Sequence, residues 1–110
     1  MQSVLLGEAV EHAPVALLVA DDEMRYVAAN ETACELLGYT REELLELRVT
    51  DIAAYPEAEG EFEAMIASGE LIGRTVVTLK DGSRRSLRHR SSEIRIAGLE
   101  YYLAVLWPEP

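Results

Sequence analysis

The sequence predicts a small α+β domain in which one antiparallel sheet is built from strands at both ends of the chain. Three observations lead to this fold class. An apolar hairpin pattern opens the chain, capped helical segments occupy its middle, and β-branched, alternating residues follow from Leu71 onward. The 110 residues are enough for one domain. We expect residues 1–13 to form a flanking helix and residues 14–107 to form the core.

An amphipathic helix is expected ahead of the first strand. Its apolar residues recur near helical spacing with acids between them: Val4, Leu5, Ala9 and Val10. Pro14 ends this helix, because proline has no amide for the next helical hydrogen bond. The apolar run 15–20, the acidic turn 21–23 and the segment 25–29 then predict an antiparallel hairpin.

Three short helices are predicted between residues 30 and 69. Asn30 suits the N-cap of the first helix, and Gly38 suits its left-handed end. Thr40 and Glu43 have the capping-box spacing and open the second helix. That helix is expected to carry Leu44, Leu45 and Leu47. The third helix is expected within 57–68, where apolar residues are spaced three and four apart.

Three strands are predicted in the last third of the chain. Their approximate bounds are 71–80, 84–96 and 99–107. Tight turns at Lys80–Ser83 and Ala97–Gly98 join them. In the middle strand, Leu87, His89 and Ser91 alternate with arginines, and the leucine indicates that the odd-numbered face points inward.

The charge of the chain is segregated. The net charge is −10, with 16 acids and 3 bases in residues 1–70 but 4 acids and 7 bases in residues 71–110. An acidic field repels phosphate backbones, so we expect neither DNA nor RNA as a partner. The basic stripe of Arg84, Arg88 and Arg90 is either a solvated face or a docking surface for an acidic partner.

Composition also limits the chemistry and the compartment. The single cysteine, Cys34, excludes an intrachain disulfide and a cysteine-type zinc site, and a reducing, cytoplasmic location fits best. The acidic turn 21–23 is too short for a metal site, and none is predicted. The apolar runs are far shorter than the ~20 residues of a membrane helix, so no membrane segment is expected in this chain.

Several motifs in order resemble a PAS domain. They are Ala13-Pro14-Val15, the stretch from Asn30 to Tyr39, Thr40 to Leu44, and Lys80 to Ser83. The resemblance implies a five-stranded antiparallel sheet in the order 2-1-5-4-3, with short helices on one face and an N-terminal helix. It also implies a non-catalytic sensor or interaction domain of a bacterial signal-transduction protein. An output domain, such as a histidine kinase or a cyclic-dinucleotide enzyme, would then lie in a longer parent chain.

A ligand cavity between helices and sheet is implied by the same resemblance. The residues expected to line it are His89, Ser91, Tyr101, Thr75, Tyr55 and Met65. The cofactor is unknown. Flavin is disfavoured because Cys34 does not stand in the reactive-cysteine motif of flavin-binding members, and heme is disfavoured because the helix within 57–68 contains no histidine.

A homodimer is expected from the apolar pattern of the central strands. Both 15–20 and 99–107 are apolar at nearly every position, which indicates cover on both faces of the sheet. The resemblance suggests that the N-terminal helix and a second subunit supply the outer cover. The expected interface residues are Val4, Leu5, Ala9, Tyr102 and Leu106.

A small α+β enzyme is the alternative. His89, Tyr101 and a carboxylate could carry acid–base chemistry. The sequence has no Gly-x-Ser-x-Gly, no His-Glu-x-x-His and no glycine-rich phosphate loop. We therefore predict no catalytic residues.

Overall fold

The computed structural model describes residues 2–53 and 70–108. Four helices lie in these residues: α1 (Gln2–Glu11), α2 (Glu31–Leu37), α3 (Arg41–Leu44) and α4 (Val49–Ile52). The strands are β1 (Ala16–Ala20), β2 (Tyr26–Ala29), β3 (Glu70–Thr78), β4 (Arg84–Ile96) and β5 (Leu99–Pro108). The helix expected within 57–68 lies outside the described residues, as do Tyr55 and Met65. No helix in the described part of the chain is long and apolar enough to cross a membrane.

The five strands form one antiparallel sheet in the order β2-β1-β5-β4-β3, which confirms the predicted fold class. Directly opposite residues of neighbouring strands project to the same face of a sheet. Leu18 lies opposite Ala104, and His89 lies opposite Leu106. The even positions of β1 and β5 therefore share one face with the odd positions of β4.

This inner face of the sheet packs against the short helices. Five fully buried side chains form its centre: Leu18 and Leu87 from the sheet, and Leu37, Leu44 and Ile52 from α2, α3 and α4. Each of these helices is too short to be stable alone, so apolar burial against the sheet stabilises it.

Asn30 joins three elements at one corner of the fold. Its Oδ1 accepts hydrogen bonds from the amides of Leu17 at 2.9 Å and Ala33 at 3.0 Å. Its Nδ2 donates to the carbonyls of Val10 at 2.8 Å and Val15 at 3.0 Å. The side chain is only 3% exposed. One amide thus caps α2 as predicted and also connects it to β1 and to the last turn of α1.

The segment that links α2 and α3 contacts the β3–β4 turn through a hydrogen bond and an ion pair. Gly38 ends α2 with a φ of 82° and donates its amide to the Cys34 carbonyl, as its position predicts. The Thr40 and Glu43 capping box is present. Lys80, in the β3–β4 turn, forms an ion pair with Glu43 and donates its amide to the Leu37 carbonyl at 3.1 Å. This pairing with Lys80, helped by hydrogen bonds from Thr40, lowers the pKa of Glu43.

The second helix is shorter than predicted. It ends at Leu44, which leaves Leu45 exposed and Leu47 only partly buried. The chain leaves the helical path because it pairs with the edge of the sheet: Tyr26 donates its amide to the Leu47 carbonyl at 3.1 Å, and Val49 donates to the Met24 carbonyl at 2.8 Å. The short helix α4 follows this pairing and was not predicted.

The N-terminal helix α1 is present, and none of its own residues is buried. All of its side chains from residue 2 to residue 10 are exposed. The end of the helix is attached to the corner around Asn30. There Glu11 pairs with Arg41, and Thr32 donates its hydroxyl to the carbonyl of Ala13, just beyond the helix.

We expect Asn30→Ala to lower the free energy of unfolding by roughly 3 kcal/mol, since it leaves buried amides and carbonyls without partners. Urea unfolding measures the loss. The control is Thr40→Ala, which removes an exposed N-cap alone and should cost about 1 kcal/mol. Equal losses in the two variants would contradict the joining role of Asn30.

The β4–β5 turn stores strain at Ala97. Its φ of 52° and the φ of 80° at Gly98 are those of a tight hairpin turn that favours Asn-Gly. We expect Ala97→Asn to raise the free energy of unfolding by about 1 kcal/mol, because asparagine tolerates the left-handed region better than alanine. Gly98→Ala should lower it by a similar amount. A stability loss in Ala97→Asn would contradict this interpretation.

Candidate functional site

A row of polar side chains crosses the inner face of the sheet. The row consists of Thr75 on β3, of His89, Ser91 and Glu93 on β4, and of Tyr102 on β5. Register places them all on the face that carries Leu87 and Leu106. His89 is 6% exposed, so it points inward, as the alternation of residues in β4 predicts. Polar side chains gathered on the apolar face of a sheet can fix the orientation of a ligand, and such a row is therefore a candidate binding site.

The residue next to His89 on the neighbouring strand is a glycine. Gly73 lies directly opposite His89, and a Cβ built on Gly73 would stand 3.9 Å from His89 Nε2, an ordinary contact distance. Any larger side chain at position 73 would cover the imidazole edge. On the same ring, Nδ1 lies 3.3 Å from Ser91 Oγ. The imidazole and the hydroxyl thus form one polar pair, with Gly73 as the neighbour on β3.

Tyr101 does not belong to this row, and the prediction for it is wrong. It lies opposite Ile94, whereas Tyr102 lies opposite Glu93 and is 5% exposed. The β4–β5 turn couples odd positions of β4 to even positions of β5, so the inward tyrosine is Tyr102. Burial raises the pKa of the Tyr102 phenol, and the nearby carboxylates of Glu100, Glu93 and Asp22 raise it further.

The same register corrects the strand residues expected at the dimer interface. Tyr102 and Leu106 are buried on the inner face and are not part of the outer surface. The outer face carries their neighbours. These partly exposed apolar residues are Leu17, Val19, Leu103, Val105 and Trp107.

The chemistry that the inner row offers is hydrogen bonding. In the described ranges, no three His, Cys, Asp or Glu side chains come together as a metal site would require. Cys34 packs against the core from α2, and partial burial raises its thiol pKa, which disfavours the reactive thiolate. This agrees with the interpretation of Cys34 as a small apolar residue.

A separate groove of about 430 Å³ lies between the end of α2 and the β3–β4 turn. It is lined by Glu35, Leu36, Gly38, Leu79, Lys80 and Asp81. It shares no residue with the inner row. Two of its charged groups are already engaged, since Lys80 pairs with Glu43 and Asp81 accepts from the Ser83 amide and hydroxyl.

Comparison with known families agrees with the sheet order. The family model of the PAS domain matches residues 14–106. The chain belongs to the PAS domain family. Among curated proteins, none matches this sequence.

Solved PAS domains share the fold of this one. A PAS domain from Colwellia psychrerythraea gives a TM-score of 0.88 at 16% identity, covering 99% of this chain and 98% of that one. A PAS domain of a two-component sensor histidine kinase gives 0.86 at 15% identity, covering 99% and 100%. The PAS domain of nitrogen regulation protein NR(II) from Vibrio parahaemolyticus gives 0.82 at 17% identity, covering 96% and 98%.

Sequence reasoning missed two members of the inner row and the glycine beside it. Glu93 and Tyr102 follow from the register between β4 and β5, which requires the turn at Ala97–Gly98 to be placed correctly. Gly73 was not singled out, although a glycine within a strand marks a position where another group comes close. Thr75, His89 and Ser91 lie on the expected face of this PAS domain.

The buried tyrosines predict a loss of stability at alkaline pH. Burial, and then the charge of Asp51, raises the pKa of Tyr26, so its phenol stays neutral in the folded chain. In the unfolded chain it ionises near pH 10, and the unfolded state gains stability above that pH. The contribution of Tyr26 to the free energy of unfolding is therefore complete below about pH 10. It is lost as the pH rises from there through the pKa of Tyr26 in the folded chain.

Raising the pH from about 8 to about 10.5 should lower the free energy of unfolding of both proteins. The decrease should be roughly 1 kcal/mol smaller in Tyr26→Phe than in the unsubstituted chain. Urea unfolding at the two pH values gives this difference. The same loss in both proteins would show that Tyr26 is not the group responsible.

Proposed function

We propose that this PAS domain is a cytoplasmic, non-catalytic sensor of a bacterial signal-transduction protein and that it binds a small molecule on the inner face of its sheet. The observation that carries the proposal is the pair of buried His89 and half-buried Ser91 beside Gly73. Solved relatives in fold include a domain of a sensor histidine kinase. An output domain of that kind, or a cyclic-dinucleotide enzyme, would lie in the parent chain.

The inner row favours a ligand with distinct polar ends. His89 and Ser91 suit a carbonyl or carboxylate of the ligand, since both can donate a hydrogen bond. Further along the sheet, Tyr102 lies among carboxylates, which repel an anionic group and favour a donor. Between these ends, Ala104 lies opposite Ser91 and presents only a methyl group. A compact molecule with an acidic or carbonyl end and a donating end fits this order.

The alternative of an acid–base enzyme has less support. On the inner face of β4, the carboxylate of Glu93 stands four residues from His89, which in a strand is roughly 13 Å. A general acid and its partner must come within hydrogen-bond reach. Tyr101, the third group of that alternative, lies on the opposite face. The strand register therefore does not bring Glu93 or Tyr101 to His89 as that alternative requires.

Dimerisation is the second part of the proposal. The outer face of β1 and β5 carries partly exposed apolar residues, and α1 exposes Val4 and Leu5 to solvent. Apolar surface of this kind is stabilised by burial, and a second copy offers the same surface in return. A ligand that shifts the packing of the sheet can then alter the dimer through this face.

We expect native mass spectrometry of the purified domain to detect a non-covalently bound small molecule, or to detect one after incubation with a cell metabolite extract. His89→Ala should lower the bound fraction severalfold, because a ligand hydrogen bond to a buried group is lost. Gly73→Leu should abolish binding by filling the space beside the imidazole.

The matched control is Ser86→Ala, which changes an exposed outer-face residue of the same strand and should bind as the unsubstituted domain does. Circular dichroism checks that every variant is folded. A folded domain that binds nothing from the extract, or unchanged binding in both His89→Ala and Gly73→Leu, would overturn the proposed site.

A further inference from the structure

The groove between the end of α2 and the β3–β4 turn takes no part in the ligand site proposed above. Its volume of about 430 Å³ is within the range of small binding sites. Leu36 and Leu79 are half-buried, pack against the core and give the groove an apolar surface. The other four residues that line it are exposed, so the groove is open to solvent. An open groove suits a segment of another protein better than an enclosed small molecule.

The two sides of the groove are held together by the chain itself. The amide of Lys80 donates to the Leu37 carbonyl at 3.1 Å, and a Cβ built on Gly38 would stand 3.6 Å from Lys80 Cβ. Glu43 on α3 also pairs with the Lys80 side chain. The end of α2 and the β3–β4 turn therefore keep a fixed spacing, and the groove exists before any partner binds.

The side chains of the groove make it negative. Glu35 and Asp81 each contribute a carboxylate. The Asp81 carboxylate accepts two hydrogen bonds from Ser83, both at Oδ1, which lower its pKa and keep it ionised at neutral pH. Among the described residues that line the groove, the basic one is Lys80, and its charge is balanced by the pair with Glu43.

The surroundings of the groove add to its negative potential. The C-terminal end of a helix carries a partial negative charge, and Gly38, which ends α2, lines the groove. Residues 31–46 carry five glutamates against one arginine. Arg84 and Arg85 follow the β3–β4 turn but are not among the described residues that line the groove. A positively charged group is therefore attracted to this surface.

We propose that this groove is a docking site for a basic segment of a partner protein, in which an apolar side chain lies between two arginines or lysines. The apolar side chain packs on Leu36 and Leu79, and the two cations lie toward Glu35 and Asp81. Charge complementarity between the groove and a basic segment carries the proposal. The groove shares no residue with the inner row, so the docking site is distinct from the proposed ligand site.

The two contributions have different physical roles. Burial of the apolar side chain supplies affinity, whereas the exposed carboxylates select a basic segment over an acidic one. Each exposed ion pair adds little and is screened by salt. A second copy of the chain is a poor occupant, because six of its nine arginines lie within β3 and β4, where the backbone is already paired in the sheet.

Titration with designed peptides, followed by amide-resolved NMR spectra, tests the proposal. The peptide acetyl-Gly-Arg-Leu-Arg-Gly-amide should shift the amide signals of Leu36, Gly38 and Lys80 with a Kd on the order of 1 mM, as one apolar contact and exposed ion pairs allow. Glutamate in place of both arginines should abolish the shifts. Glycine in place of the leucine should weaken binding severalfold, because the apolar contact is lost.

Charge removal in the domain tests where the cations lie. Glu35→Gln and Asp81→Asn should each raise the Kd about threefold, since each removes one exposed ion pair and keeps the shape of the side chain. The matched control is Glu23→Gln, in the β1–β2 turn at the opposite end of the sheet, which should leave the Kd unchanged. His89→Ala should also leave it unchanged. The dispersion of the amide signals checks that each variant is folded.

Each outcome bears on one part of the proposal. A folded domain whose signals at the groove do not move at several millimolar peptide would overturn the docking site. Equal shifts with the acidic peptide, or with arginine amide alone, would overturn a basic protein segment as the occupant, and the second result would indicate a site for a small organic cation. An unchanged Kd in both Glu35→Gln and Asp81→Asn would overturn the placement of the two cations.

Discussion

The arrangement of this PAS domain depends on the hydrogen bonds that the buried side chain of Asn30 makes. Two amides and two carbonyls, from α1, β1, α2 and the residue ahead of β1, converge on a single carboxamide. An asparagine can donate and accept at the same time, which neither serine nor aspartate could do for this set. The position of α2 on the sheet, and with it the depth of the core, follows from this corner.

The register of the sheet then divides its residues between two roles. The inner face receives the helices and keeps His89 and Tyr102 away from solvent, whereas the apolar and basic residues of the outer face are at least partly exposed. Because the side-chain period of a strand is two, a shift of register by one residue would move every side chain of the strand to the opposite face. Both roles would then be lost together. Ligand sensing and self-association, as proposed, therefore use opposite sides of the same strands.

The caps, turns and strands of this domain could be predicted because each has a local signal, such as the Thr40 and Glu43 pair or the glycine at position 98. The phase of β5 was missed, since a strand that is apolar at nearly every position gives no alternation of its own. It follows instead from the phase of β4, carried across the two-residue turn at 97–98. In β4 the contrast between Leu87 and its arginine neighbours fixed the phase correctly. The early end of α3 depends on pairing with Tyr26, a tertiary contact that no local pattern contains.

The attachment of α1 has a consequence for how such a domain diversifies. The helix is anchored through main-chain carbonyls, those of Val10 and, just beyond it, Ala13. Two side-chain contacts add to them: Glu11 with Arg41, and His12 with Glu31. Main-chain atoms are the same whatever residue carries them, so the exposed residues from Leu5 to Ala9 can change freely while the anchor persists. Gene duplicates could in this way acquire distinct dimer partners without any redesign of their cores.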